Sequence, residues 1–187
     1  MKYRTINEAV QLVIPDLPAD FVQAYADLEK VVRADNASAV SKVHKIYGLA
    51  DRIGAFLASY MVCEKGCSHC CYIDVQVSLP EAQYIQKNLG IAPDSGVTHT
   101  TGFTGQGMPC GFLGQDGCCS IYAHRPFMCR SFFTVDDPKY CADNSRHATY
   151  TAGSNGLLNK LFLLLVHLNQ GRPVRDVRDY FPRSPGQ

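Results

Sequence analysis

The sequence predicts a mainly α fold in which helices surround a loop-rich cysteine core. Three observations predict it. Apolar residues recur at helical spacing over residues 16–61 and again over 155–170. A Ser-x-x-Glu capping signature opens a further helix at Ser78. All nine cysteines fall within residues 62–145, where glycine and proline break up any regular period. At 187 residues the chain is expected to form a single domain, 1–187. A domain of this size buries enough surface to fold without disulfides.

The first region, 16–61, reads as a helical pair. Asp16 and Pro18 open a segment that carries Phe21, Val22, Tyr25, Leu28 and Val31 at helix-compatible intervals. A second helix starts near Ser38 and repeats apolar residues at Val40, Val43, Tyr47, Ala50, Ile53, Leu57 and Tyr60. The connection around Ala34-Asp35-Asn36 is short, so the two helices are expected to run antiparallel. In the middle region, 62–145, the helix capped by Ser78 and Glu81 takes Pro80 in its first turn, continues through Ala82, Ile85 and Leu89, and stops at Gly90. Residues 92–117 read as loop. A short helix from Ser120 to Arg125 is expected to end or bend at Pro126. The third region is a helix over 155–170, apolar on most sides and ended by Gly171 and Pro173, and expected to be the most buried. Arg172, Arg175, Arg178 and Arg183 follow, interleaved with Asp176 and Asp179, which reads as a solvated face.

Composition narrows the function. A net charge of +1 with no basic stripe gives no electrostatic case for nucleic acid or an anionic membrane. The N-terminal stretch lacks a signal-peptide core, because Pro15 and Asp16 cut short its apolar run. The apolar stretch 157–168 is too short to span a bilayer and holds Asn159, Lys160 and His167. A cytoplasmic protein is therefore expected, with no membrane partner and no protein partner identified. In a reducing compartment, clustered cysteines favour metal or redox chemistry over disulfides. Nine is also an odd number, which a closed set of disulfides cannot use up.

The stretch CEKGCSHCC, residues 63–71, places Cys63, Cys67, Cys70 and Cys71 within nine positions. Thiolates two or three residues apart can fold back onto one metal, and Gly66 suits the bend this requires. Both Zn²⁺ and iron–sulfur clusters take four thiolates. The later cysteines, Cys110, Cys118, Cys119, Cys129 and Cys141, offer completion from a distant segment, so the two segments should meet in space. The adjacent pair Cys70-Cys71 admits two readings. Either one ligates and the other packs, or the two serve two nearby centres, for which the sulfur count suffices. Arg125 and Arg130 flank Cys129, where guanidinium charge would stabilise a thiolate site. Gly105, Gly107 and Gly111 lack the dinucleotide-binding interval and are read as letting backbone N–H groups approach sulfur. His69 and His124 lie near cysteines but are not needed as ligands; His44 and His167 read as structural.

These motifs resemble the YkgJ-like CxxCxxCC cysteine-cluster family, found mostly in bacteria and described as chelating zinc or iron. The resemblance covers roughly residues 60–142. It rests on Cys63 through Cys71, then Cys110-Gly-Phe-Leu, then Cys119-Ser-Ile-Tyr-Ala-His-Arg-Pro-Phe-Met-Cys129-Arg. It implies Cys63, Cys67, Cys70, Cys71, Cys110, Cys119 and Cys129 as the functional set, with Cys141 matching a later cysteine and Cys118 outside the pattern. Gly111 stands where the family usually has proline. The resemblance supplies a metal but no reaction.

The function expected is therefore metal binding through Cys63, Cys67, Cys70, Cys71, Cys110, Cys119, Cys129 and Cys141. An all-cysteine set larger than four leans towards iron, as an iron–sulfur cluster with a redox or electron-transfer role; a zinc Cys₄ site fits nearly as well. The alternative is an enzyme. Cys63-x₃-Cys67-x₂-Cys70 shares the spacing of radical S-adenosylmethionine enzymes, but it follows a helix rather than a strand and has His69 where an aromatic residue is common. A thiol-based site, with Cys129 or Cys110 as nucleophile and His124 as base, requires a geometry the sequence cannot supply.

Overall fold

A computed structural model describes residues 3–34, 36–64, 66–94, 108–142 and 147–182. Its helices are α1 (Ile6–Val10), α2 (Ala19–Arg33), α3 (Ala39–Leu57), α4 (Leu79–Leu89), α5 (Phe127–Arg130), α6 (Lys139–Ala142), α7 (Gly156–Asn169) and α8 (Val177–Tyr180). The strands β1 (Gln76–Val77), β2 (Phe133–Thr134), β3 (Thr149–Tyr150) and β4 (Arg175–Asp176) are two residues each. They form two antiparallel pairs, β1 with β4 and β2 with β3. The protein is mainly α.

Helix α3 is the spine. It packs against α2 on one side, and against α4, α5 and α7 on others. Its buried residues, Val43, Ile46, Tyr47, Ala50, Ile53 and Leu57 among them, keep the interval that a helix needs to hold one apolar face. In α2 the buried face is narrower than the sequence suggested: Phe21, Leu28 and Val32 are buried, whereas Val22 and Val31 are exposed. At about 100° per residue, Leu28 and Val32 fall within roughly 20° of Phe21, while Val22 and Val31 fall well to either side. Tyr60 lies beyond the end of α3, in the turn that follows Leu57.

The Ser78 cap forms as expected. The Glu81 carboxylate accepts from the Ser78 N–H at 2.9 Å, and Gly90 closes α4 with a left-handed φ of 71°. Asn155 caps α7, and Gln170 and Gly171 end it with positive φ. Helix α7 buries Leu158, Leu161, Leu164 and Leu165 against α2, α3 and α4, but Leu163 and Val166 face out. The short helix expected at Ser120–Arg125 is a 3₁₀ turn, Tyr122–His124, that ends before Pro126 as expected; Pro126 then stands at the N-cap of α5, where its missing N–H is no loss. Half of the loop expected at 92–117, Gly105 and Gly107 included, lies outside the described residues, as does Arg183. Among the described residues, no helix is long and apolar enough to cross a membrane.

The C-terminal segment departs from expectation. Instead of a solvated face, Arg178 and Asp176 form a buried clamp. Asp176 accepts from the Val75 N–H at 2.7 Å, and pairs with Arg178 at 2.8 Å. The remaining Arg178 donors reach the Cys71 carbonyl at 3.0 Å, Ile73 at 3.1 Å and Met108 at 2.8 Å. A guanidinium has five donors in one plane, enough to satisfy carbonyls of two loops that have no ladder of their own.

Candidate metal centre

A cavity of about 320 Å³ opens between α3 and the cysteine loops. Asp51, Gly54, Ala55 and Ala58 of α3 and its end form one wall; none of its lining residues comes from α7. Cys63, Cys67, Cys70, Cys71, Cys110, Cys119, Cys129 and Cys141 all line it, and Cys118 does not. The two cysteine segments, distant in sequence, therefore meet. The Cys110 N–H donates to the Cys71 carbonyl at 2.8 Å, and Arg178 ties Cys71 to Met108 from the other side.

Local backbone explains which sulfurs face in. Gly66 bends the first loop with φ 99°, a left-handed value that other residues adopt only with strain. His69–Tyr72 then forms a 3₁₀ turn, in which successive side chains are about 120° apart, so both Cys70 and Cys71 reach the cavity. Cys118 and Cys119 are also adjacent, but Cys119 pairs with Leu113 in an antiparallel bridge. Extended backbone sends neighbours to opposite faces, so Cys119 points in and Cys118 does not.

Hydrogen bonds to sulfur recur. The Thr134 N–H donates to Cys63 Sγ at 3.2 Å. Cys67, Cys110 and Cys119 each take an N–H from the residue two positions on: His69, Phe112 and Ile121. For Cys110 this amide approaches across Gly111, as the sequence suggested. Such bonds stabilise negative sulfur and help set the properties of bound iron or zinc.

Burial works the other way. Desolvation pushes the Cys63 thiol up to about 11, and that of Cys141 to about 11. Its hydrogen bond to Cys71, and then burial, push the Cys70 thiol up. Burial also raises Cys67, Cys110 and Cys119, and Cys129 strongly. Arg125 opposes this at Cys70, Cys119 and Cys129, and Arg178 at Cys110. The guanidinium reading of Arg125 thus has a physical counterpart. Arg130 instead serves the scaffold: it is 2% exposed, pairs with Asp51 at 2.6 Å, and donates to the carbonyls of Ala123 and Arg125.

His69 lines the cavity, whereas His124 turns to Tyr84, whose hydroxyl lies 3.3 Å from its Nδ1. His44 stacks on the same tyrosine. Asp51 and Glu64, which sequence reasoning did not single out, also line the cavity, and no spacing signal marked them. Among the described residues, no three cysteine, histidine, aspartate or glutamate side chains are already gathered tightly enough to hold an ion. The cysteines are arrayed around the wall. Their chemistry nevertheless fits zinc or iron: soft donors, an inward face, amide support and nearby cationic charge.

Residues 62–149 match the model of the CxxCxxCC family, described as a "Putative zinc- or iron-chelating domain". The matched stretch, just under half of the chain, is similar to that domain. The match supports binding of zinc or iron. The domain starts just after α3 and ends in β3, so α2, α3 and α7 flank it as scaffold. No curated protein and no solved structure matches the chain.

Proposed function

We propose that this protein chelates iron through Cys63, Cys67, Cys70, Cys71, Cys110, Cys119, Cys129 and Cys141, as an iron–sulfur centre with an electron-transfer role. The observation that carries this reading is the gathering of eight of nine cysteines on one cavity. Thiolates well in excess of four suit cluster chemistry, and amide donors at Cys63, Cys67, Cys110 and Cys119 suit sulfurs that change charge with the metal's oxidation state. Bound iron would supply the one-electron chemistry. The chain's residues hold their thiolates in place, and the apolar wall of Met61, Phe112, Ile121 and Phe133 limits water.

Zinc is the second reading. All-cysteine donors with guanidinium groups nearby suit a tetrahedral Zn²⁺ with four thiolates, whose net charge is about −2. Anaerobic purification, metal analysis and a visible spectrum separate the two. The iron reading expects a coloured protein with iron and acid-labile sulfide; a colourless protein with stoichiometric zinc overturns it. A folded protein that takes up neither metal overturns both.

A further inference from the structure

We propose that Asp136 is a positioning residue of the metal centre: its buried carboxylate, acting through Thr134, holds the Thr134 N–H on the Cys63 sulfur. The proposal rests on the metal-chelating reading and extends it to a residue behind the cavity wall.

Strands β2 and β3 pair antiparallel, with Thr134 opposite Thr149. The Val135 N–H goes to the Ala148 carbonyl at 3.1 Å. Successive residues of such a strand turn their N–H and C=O groups to opposite edges, so Thr134 directs both of its own away from β3. They meet the cysteine loop instead. The Thr134 carbonyl takes the Val62 N–H at 3.0 Å, and the Thr134 N–H donates to Cys63 Sγ at 3.2 Å. Amide bonds of this kind orient a sulfur ligand and tune the metal it holds. Arg4 spans the same two segments, donating to the carbonyls of Tyr60 at 3.0 Å and Val135 at 3.2 Å.

Strands of two residues are a weak mount for such a bond, because a two-stranded pair is marginal by itself. Asp136 supplies what the ladder lacks. Its Oδ2 accepts the Ala148 N–H at 2.6 Å, which ties the end of β2 to the start of β3. Its Oδ1 accepts the Thr134 hydroxyl at 2.8 Å. Thr134 is thereby held on two sides, by its backbone to the cysteine loop and by its side chain to Asp136. Both residues are 0% exposed. Burying a carboxylate is costly unless polar partners surround it, and His147 Nδ1, 3.5 Å from Oδ1, is the third neighbour here. An apolar residue would fill the same space without that cost, but it could not hold Thr134.

Cadmium is the probe, a soft dication that thiolate sites accept in place of zinc. The reduced full chain is loaded with ¹¹³Cd²⁺ under anaerobic conditions, and affinity is read by competition with a chromophoric chelator. In the unaltered chain the Thr134 amide proton is expected to show scalar coupling to ¹¹³Cd across the Cys63 sulfur. Stoichiometric Cd²⁺ without that coupling overturns the proposal and leaves chelation standing. Uptake of no Cd²⁺ overturns the chelation reading, and the proposal with it. Asp136→Ala and Thr134→Val are each expected to weaken Cd²⁺ binding about 10–100-fold and to lose the coupling at that amide. The double variant should lose no more than either alone, because the two residues act along one path. Asp136→Asn should bind Cd²⁺ as the unaltered chain does. Its amide oxygen can take the Ala148 N–H and its amide nitrogen can donate to Thr134 Oγ1, whose own proton then turns to the Ala148 carbonyl, 3.3 Å away. Additive losses in the double variant, or an Asn variant as weak as the Ala variant, overturn the proposal. Folding is judged by far-ultraviolet circular dichroism. Because the coupling in the unaltered chain needs no substitution, a variant that fails to fold leaves the test intact.

Discussion

The two halves of this molecule are held together by different forces. The layer of α2, α3, α4 and α7 is an apolar core: Val43, Ile46, Ile53, Leu158 and Leu161 are all essentially inaccessible. The cysteine loops 62–75 and 108–134 have short strands and turns, and side chains bind their backbone. Arg178, Asp176, Glu81 and Arg130 take up carbonyls and amides that no ladder satisfies. A buried backbone polar group left unpaired costs as much as a lost hydrogen bond, so these few side chains decide the loops' shape. The contrast teaches where a metal would act. The helical layer can fold on burial alone, whereas the loops line a cavity with thiols whose pKa values desolvation raises and a bound cation would lower.

The largest effect expected is metal removal. Structural thiolate sites contribute on the order of 10 kcal/mol to the segments they organise. Chelation under reducing conditions should strip amide-exchange protection from 62–75 and 108–134, while α3 and α7 stay protected. Loss of protection throughout the chain would break the distinction between the halves.

Next comes the reverse experiment. Leu158→Ala opens a hole in the helical layer, where Leu158 is 0% exposed. It should lower global stability by about 2–5 kcal/mol in a denaturant titration and leave metal stoichiometry unchanged. A matching loss of metal would mean that the halves are energetically one.

Arg178→Ala should cost about 2 kcal/mol, because it takes the Arg178 donor from the carbonyls of Ile73 and Met108 and leaves the Cys71 carbonyl with the Cys110 N–H alone. Unlike Leu158→Ala, it acts on the loops first. Since Arg178 holds Cys71 from behind the cavity wall, metal dissociation, followed by transfer to a chromophoric chelator, should quicken about 10–100-fold. An unchanged dissociation rate would reduce the clamp to scaffold.

Legibility in the sequence follows the same divide. The Ser78–Glu81 cap, the Asn155 start of α7 and the antiparallel pair α2–α3 could be read because local rules write them. Glu81 shows where local rules end. As a capping residue it was legible; its acceptance of the Tyr47 hydroxyl at 2.9 Å and the Phe127 N–H at 3.0 Å was not. Those contacts fix α4 to α3 and α5, and they depend on partners 34 and 46 positions away. Arg178 misled for the same reason, since alternating charges look alike on a surface and in a clamp. α1 was missed although Thr5 and Glu8 form a capping box, because the helix is only five residues long and has little apolar period. In the cysteine core, spacing marked the thiols, but only the backbone decides which way each one faces.

That last point gives the smallest effect and the sharpest comparison. Cys70-Cys71 and Cys118-Cys119 are both adjacent pairs in the loops, yet both members of the first line the cavity and only Cys119 of the second does. The 3₁₀ turn and the extended bridge account for this without reference to conservation or charge. Cys118 is partly buried, and its backbone is held by the Asp116 carboxylate at 3.0 Å and the Gly114 N–H at 2.9 Å, contacts that a serine keeps. Cys118→Ser should therefore shift stability by no more than about 0.5 kcal/mol. Its metal content should equal that of the unaltered chain, whereas Cys71→Ser, in the doublet whose two sulfurs both line the cavity, should lose metal. Equal losses from the two substitutions would show that thiol density, and not the direction each sulfur faces, governs binding.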